Sequence, residues 1–512
     1  MRFRDNKEKD DYLKDYAARK IYWRERNSYY HDSITSFLKT IVPAGSSVLE
    51  VGCGTGKTLD ALHPSVSAGI EINNYLIEYG KKICPEHYPC HAELVSASGS
   101  DTDIIFYNAD VEDENSLHGL YSRGVKFDYI IISDLIGTLD DIQFVFERLI
   151  PFSHGSTKII VTYYNYFWNP VLRLGELFKL KMKEGEKNWL YIEEIKNLLY
   201  LSGYDVSDSG SFLLFPKRIP FLSAFINNHI AKLPGFRRLC LTGWVTGMPS
   251  EIHVPKKSSA ITAKEEFSVT VLIPCRNEEG NIDKIINRIP ALGSHKKVLP
   301  EIIFAEGNST DNTYRKIEEL IKENPGKDIR LVKQTGKGKA DAVRAGFDVA
   351  KGDILIILDA DMTVAPEDLS KFYNALRDRK GDFINGTRLV YQMEEKAMRR
   401  MNKFGNIFFS KIFSWLLGQR ITDTLCGTKA LFKSDYEKIK AKRAYFGDFD
   451  PFGDFDLLFG ASKLKLKIIE IPIRYGERKY GETNIHRFRD GFRLLKMCFV
   501  ALRKIKFAKQ KV

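Results

Sequence analysis

Two carboxylates one residue apart close the run Gly352–Asp361, which reads GDILIILDAD. Asp359 and Asp361 supply hard oxygen donors, the type that holds a hard divalent cation carrying phosphates. Phosphate chemistry also calls for fixed positive charge, and Lys337, Arg388, Arg474, Arg478 and Lys479 are the candidate cations. Lys337 stands in a glycine-flanked loop, Arg388 in the tight turn NGTR, and Arg478-Lys479 just before Tyr480-Gly481. The competing reading for each is solvated surface charge. A second constellation lies far upstream, where Gly52, Gly54 and Gly56 follow the apolar run SSVLEV and Glu71 stands in a second run, AGIEI. Glycines let backbone approach a ligand closely, and an acidic side chain at the end of the next strand can grip ribose hydroxyls.

These residues need elements to carry them. The unbroken apolar stretch Ile354 to Leu358 fits a strand covered on both faces, with the two aspartates at its carboxyl end, where open α/β sheets place their ligands. FSVTVLIPCRNEEGNI (267–282) is another strand running into a polar loop, and EIIFAEGNSTDNT (301–313) repeats the pattern with an acidic turn. QTGKGKADAVRAGFDVAKGD then reads as a glycine and lysine loop opening a helix, so three strands deliver polar groups to one edge. In the first half, YNADVED (107–113) and KFDYIIISDLIGTL (126–139) add third and fourth strands with acidic residues at their ends.

The motifs IPCRNEEGNI, EGNSTDNT, GKGKADAVRAG, ILDADMTVAPEDL, NGTRLV, DTLCGTKAL and IPIRYGERKYGETNI resemble the family-2 glycosyltransferases of the GT-A fold. The resemblance runs from Val269 to about Phe507 and is nearest to the dolichol- or polyprenyl-phosphate mannosyl and glucosyl transferases. It implies that Pro274, Arg276, Glu278 and Glu306 hold the base and ribose of a GDP- or UDP-linked sugar, with Lys337 near its phosphates. It implies that Asp359 and Asp361 carry Mg²⁺ or Mn²⁺ on the diphosphate. Asp454 and Asp456 sit where related enzymes carry the carboxylate that deprotonates an acceptor, with helix N-capping as the competing reading. A lipid phosphate acceptor is already an anion and needs no base. The family's usual Asp-Asp-Gly-Ser turn appears here as Ala305-Glu306-Gly307-Asn308.

From roughly Tyr22 to Phe215 the chain resembles a class I S-adenosylmethionine-dependent methyltransferase. That implies Gly52, Gly54, Gly56, Glu71 and Asp110 as cofactor contacts and Asp134 near the methyl donor. An NAD-binding Rossmann domain is the alternative, against which stands the spacing GCGTG without a sixth-position glycine. Tyr163, Tyr164, Tyr166 and Trp168 follow a strand and could line an acceptor pocket or simply pack. No side chain stands out as a methyl-transfer base.

A chain of 512 residues with 44% hydrophobic content accommodates two to four globular domains. The fold class expected is α/β, with two doubly wound domains, a Rossmann-like methyltransferase and a GT-A glycosyltransferase. The boundaries expected are an N-terminal helical extension (1–21), a methyltransferase domain (22–215), a helical connector and linker (216–266) and a glycosyltransferase domain (267–512). HVPKKSSAITAKEE is polar and aperiodic, as a linker is, and FLSAFINNHIAKL is expected to pack on or between the domains. Residues 84–103 are too many for an ordinary α/β connection and read as an insertion, whose His87, Cys90 and His91 lack a fourth metal ligand. Seven cysteines without paired spacing fit a reducing cytoplasm. The segment MRFRDNKEKDDYLKDY lacks the apolar core of a signal peptide, and no stretch reaches the ~18 apolar residues of a membrane span.

The net charge of +12 is unevenly placed. Between Arg487 and Lys511 nine Lys or Arg face one Asp, interleaved with Phe488, Phe492 and Phe499, a pattern that suits an anionic membrane surface. MNKFGNIFFSKIFSWLLG (401–418) puts Met401, Phe404, Phe408, Ile412 and Trp415 on one face and Lys403, Asn406, Ser410 and Ser414 on the other. No nucleic-acid recognition motif accompanies the charge. The chain is therefore expected to be a cytoplasmic enzyme on the inner membrane surface, moving a sugar to a polyprenyl-phosphate or glycan acceptor and methylating something in the same pathway. The alternatives are an inactive methyltransferase-like scaffold, or a soluble transferase acting on a polysaccharide or protein.

Overall fold

The computed structural model describes residues 6–83, 104–185, 187–250, 266–293, 297–391, 400–442, 455–478, 480 and 487–503. They fall into two compact units, Met1–Ser259 and Ala260–Val512. The insertion at 84–103, most of the linker, Asp454 and Lys479 lie outside the described residues.

The first unit is built on β1 (Ser47–Val51), β2 (Val66–Glu71), β3 (Ile104–Asn108), β4 (Phe127–Ser133), β5 (Ser153–Tyr164), β6 (Tyr204–Phe212) and β7 (Thr242–Pro249), in the order β3-β2-β1-β4-β5-β7-β6. Strands β1 to β5 pair in parallel, and β7 runs against both β5 and β6. Val48, Leu49, Ile130, Ile131 and Ile132 are wholly buried, so the central pair is covered on both faces, as its unbroken apolar runs require. β7 arises inside the stretch expected to be connector. Its alternation is broken by glycines, and Gly243 is needed because a Cβ there would collide with the Tyr163 ring. Helix Asn6–Arg26 runs through the expected boundary at 21 and is tied to the unit by Asn73 Nδ2 donating to the Leu13 carbonyl at 2.8 Å and by Tyr75 Oη donating to Asp10 at 2.7 Å.

The second unit has seven strands too: β8 (Val269–Cys275), β9 (Glu301–Glu306), β10 (Ile329–Lys333), β11 (Ile354–Ile357), β12 (Phe383–Thr387), β13 (Lys429–Phe432) and β14 (Ile468–Pro472). Their order is β10-β9-β8-β11-β13-β12-β14, parallel except for β13, which opposes β11 and β12. Ile354 to Ile357 are fully buried. In both sheets the chain winds outward in opposite directions from a central pair, β1 and β4 in one and β8 and β11 in the other. That arrangement opens a crevice beyond the carboxyl ends of those strands, the place where doubly wound sheets bind ligands.

Candidate active sites

In the second unit, β11 ends at Ile357, Leu358 stays buried, and Asp359 and Asp361 emerge beyond it. The Lys339 ammonium, at the start of helix Lys339–Val349, lies 2.5 Å from Asp359 Oδ1. Thr363 donates its backbone N–H (3.1 Å) and hydroxyl (2.7 Å) to Asp361 Oδ1, which leaves Oδ2 to Arg478 at 2.7 Å. Arg478 reaches on to Glu278 Oε1 at 3.3 Å, so one guanidinium joins the loop after β8 to the loop after β11. Burial pushes the Asp359 carboxyl up, and Lys339, backed by Lys429 and Arg388, outweighs that and holds it below the usual carboxylate range. At Glu278 burial wins over Arg478, and the carboxyl rises to about 7.

The other expected residues fall differently. Glu306 is buried at the end of β9, and its Oε1 accepts the Ser309 N–H at 2.5 Å, closing its own turn. Pro274 is half-buried and Arg276 exposed on the loop after β8. Lys337 is exposed, while Lys339, two residues on, meets the aspartate. Arg388 is buried in a two-point bond to Asp423 (2.6 and 2.8 Å), with its guanidinium 4.9 Å from the Tyr475 ring centre. Asp456 lies in the first turn of helix Phe455–Lys463, half-buried. Asp423 and Glu470 carry no spacing signal, being 47 residues apart, yet together they hold the loop before β13. Glu470 accepts the backbone N–H of Thr422 (2.8 Å) and Asp423 (3.2 Å) and the Asn385 amide (3.1 Å), and burial pushes its carboxyl up to about 7. That loop presses on the aspartate, because a Cβ at Gly427 would collide with Asp359 and Lys339. Among the described residues no three His, Cys, Asp or Glu side chains converge as a metal cage.

In the first unit, Gly52, Gly54 and Gly56 all take positive φ (74°, 59° and 73°), the left-handed backbone that glycine adopts without cost from a Cβ. The Glu71 carboxylate accepts the N–H of Gly54 at 2.9 Å and of Asn73 at 3.0 Å, fixing the loop to the end of β2. Glu50, on β1 just before the loop, is buried with Oε2 unpartnered, and burial, opposed by Arg24, raises its carboxyl to about 8. Asp134 follows β4 with φ 54°; its Oδ2 accepts the Tyr30 hydroxyl at 2.6 Å while Oδ1 is buried without a partner. Tyr30 stacks on Tyr164 with centroids 5.6 Å apart, and Lys187 stands 5.0 Å from the Tyr164 ring. Asp134 and Tyr164 line a cleft with Gly137, Asn188 and Leu190. Asp110 is exposed and closes a turn on the Glu112 N–H at 2.9 Å. Two orphaned carboxylate oxygens beside a glycine cradle are chemically suited to a cationic, donor-rich ligand.

Helix Arg400–Leu417 turns Asn406, Ser410 and Phe413 inward, where Asn406 donates to Asp423 at 2.8 Å, and leaves Phe408 and Trp415 exposed. Helix Arg487–Ala501 buries Leu494, Met497 and Ala501 and exposes Phe492, Leu495 and Phe499. No described helix is long and apolar enough to cross a membrane.

Residues 22–208 match the family model described as a methyltransferase domain, and residues 270–440 match glycosyl transferase family 2. The chain is thus a methyltransferase domain followed by a family-2 glycosyltransferase domain, the first matched as a methyltransferase rather than as a dinucleotide-binding domain. Among particular proteins, it is 27% identical over 254 residues to a low-salt glycan biosynthesis hexosyltransferase of Haloferax volcanii, covering 49% of this chain and 58% of that one. It is 30% identical over 223 residues to a dolichol-phosphate mannosyltransferase of Pyrococcus furiosus, covering 43% and 59%. A UDP-N-acetylglucosamine–dolichyl-phosphate N-acetylglucosaminyltransferase of Methanococcus voltae is 29% identical over 244 residues, covering 44% and 92%. The chain spans less than three fifths of the length of the first two.

Proposed function

We propose that the second unit moves a sugar from a GDP- or UDP-linked donor to a polyprenyl phosphate at the inner membrane surface. The observation that carries this is the alternation of charge at the crevice of β8 and β11, where Lys339 pairs with Asp359 and Arg478 joins Asp361 to Glu278. Asp359 and Asp361, with no third His, Cys, Asp or Glu converging on them among the described residues, would hold Mg²⁺ or Mn²⁺ carrying the diphosphate. Such an ion, when bound, neutralises charge developing on the departing nucleotide. On this reading Lys339 and Arg478 turn from the aspartates to phosphate oxygens. Pro274, Arg276, Glu278 and Glu306 border the base and ribose side, where the two glutamates accept hydrogen bonds. Lys337 and Lys479 are further candidate cations for the phosphates, and Arg388 braces the loop through Asp423. A phosphate acceptor attacks as an anion; Asp454 or Asp456 is the base if the acceptor is a hydroxyl. Two relatives, the dolichol-phosphate mannosyltransferase and the dolichyl-phosphate N-acetylglucosaminyltransferase, support this acceptor class.

The first unit, on this reading, binds S-adenosylmethionine against Gly52, Gly54, Gly56 and Glu71, with Glu50 and Asp134 facing its positive charge and Asp110 at the rim. It methylates a molecule of the same glycan pathway. The test is a screen of nucleotide sugars with a polyprenyl phosphate acceptor, with and without Mg²⁺ or Mn²⁺. Asp361→Asn should cost about 10²–10³-fold in turnover with the circular dichroism unchanged. Wild-type rates in that variant, or activity that survives chelation, would remove the metal assignment.

A further inference from the structure

Phe167, Val171, Leu174 and Phe178 recur every three or four residues through the 3-10 turn Tyr166–Trp168 and the helix Asn169–Leu177, so they form one stripe. The stripe faces solvent, each member half or more exposed, while Trp168 and Leu172 on the opposite side pack into the core with Phe212 and Leu213. A second apolar stretch adjoins it. Trp168 Nε1 donates to the Leu239 carbonyl at 2.7 Å, and Asn165 Nδ2 to the carbonyls of Arg238 and Cys240, each at 2.9 Å. These bonds tie residues 238–240 to the base of the helix that carries the stripe, and in the segment leading to them Phe221, Phe225, Leu233 and Phe236 are exposed. Phe221 is 94% exposed and holds φ at 61°, a backbone conformation unfavourable to a bulky residue. The short helix Leu222–Asn228 is held by its polar side: Ser223 is buried, and Asn227 binds both the N–H and the carbonyl of Phe215, each at 2.9 Å.

Charge says what covers this face. Segments 166–183 and 212–239 contain nine Lys or Arg and a single acid, Glu176. A second copy of the same face would bring its excess of bases against the same excess, whereas phenylalanines and leucines set among nine bases and one acid suit the interface of an anionic bilayer. The face also reaches the cleft lined by Asp134 and Tyr164, because Tyr166 stacks on Tyr191 at 4.5 Å, Phe167 meets the same ring edge-on at 6.5 Å, and Leu190 lines the cleft.

We propose that this face docks the first unit on an anionic lipid bilayer and sets its cleft at the interface, so that the methyl acceptor is a membrane-borne molecule. The acceptor class rests on the methyl-transfer reading; the docking does not. The experiment is flotation of the full chain with phosphatidylcholine vesicles, with and without phosphatidylglycerol. It compares wild type with Val171→Ser/Leu174→Ser/Phe178→Ser and with Phe221→Ser/Phe225→Ser, each also in an Arg493→Glu/Lys496→Glu background. Each set of serines should weaken partitioning to anionic vesicles about tenfold, with circular dichroism and S-adenosylmethionine binding unchanged. Wild-type flotation in both serine variants, or none in any protein, overturns the proposal. So does a sedimentation-velocity shift from dimer to monomer in the variants, which would make the occupant a second copy. Loss of flotation only in the Arg493→Glu/Lys496→Glu background would sink the docking face and leave sugar transfer standing. Weakened flotation in the serine variants, with no methyl transfer to any membrane-borne molecule, would keep the docking and remove the acceptor class.

Discussion

Glu50 is a carboxylic acid kept largely neutral at pH 7, because burial lifts it to about 8 from an ordinary value of 4.5. A sulfonium and an ammonium arriving beside it would favour the ionised form. Binding of S-adenosylmethionine should therefore release close to one proton at pH 7, and affinity should climb between about pH 6 and 8, by at most about tenfold per unit. Calorimetry in two buffers of different ionisation enthalpy checks this, and Glu50→Gln should flatten the dependence. For the protein without ligand the sign runs the other way: stability from this group is complete below about 4.5 and is lost as pH rises through about 8. Much of this chemistry was legible at single positions. The glycines at 52, 54 and 56 announced a cradle, and the apolar run before Asp359 announced a strand end. The choice between Lys337 and Lys339 was not, since GKGK offers both and only the start of the helix decides which one turns toward the aspartate.

At the scale of elements, β14 controls a loop that touches the site. Glu470 takes four donors, the N–H and hydroxyl of Thr422, the Asp423 N–H and the Asn385 amide, of which the last two are buried, and removing an acceptor strands buried N–H groups at about 1–3 kcal/mol each. Glu470→Ala should accordingly destabilise the second unit by about 3 kcal/mol and lower turnover by loosening the loop that ends at Gly427. The pH dependence has a definite sign. With its carboxyl raised to about 7, Glu470 contributes stability that is complete below about 4.5 and lost as pH rises through 7. The melting-temperature advantage of wild type over Glu470→Gln should thus shrink from pH 5 to pH 8. None of this network was readable beforehand, because its members come from β12, β14, a loop and a helix with no common spacing. Helix Arg400–Leu417 shows the same limit in another form. Its two faces follow from periodicity, but that the polar face turns inward depends on Asp423 waiting for Asn406.

The whole molecule carries +12, and its exposed aromatics on helix Arg487–Ala501 lie among bases. Each basic residue near an anionic surface contributes about 1 kcal/mol. Arg493→Glu/Lys496→Glu, both exposed, should therefore cut co-sedimentation with anionic vesicles at least tenfold at low salt, with less effect at high salt as the Debye length shortens. Equal binding by wild type and variant would detach this helix from the membrane. Domain count and class followed from length and motif order; the extent of the first sheet did not, since β7 is a strand whose glycines hide its alternation.

The pairing of Lys339 with Asp359 and of Arg478 with Asp361 has a thermodynamic consequence. The protein carries its own competitors for those oxygens. A divalent cation presented alone must take a carboxylate from an ammonium, or from a guanidinium that is left with Glu278, whereas a cation arriving with a nucleoside diphosphate hands both of them phosphate oxygens. The two ligands should therefore bind with positive coupling of about 1–3 kcal/mol, each sharpening the affinity for the other by the same factor. Titrating Mn²⁺ with and without GDP or UDP would measure that factor, and Lys339→Met, which removes one competitor, should tighten the metal alone and shrink the coupling.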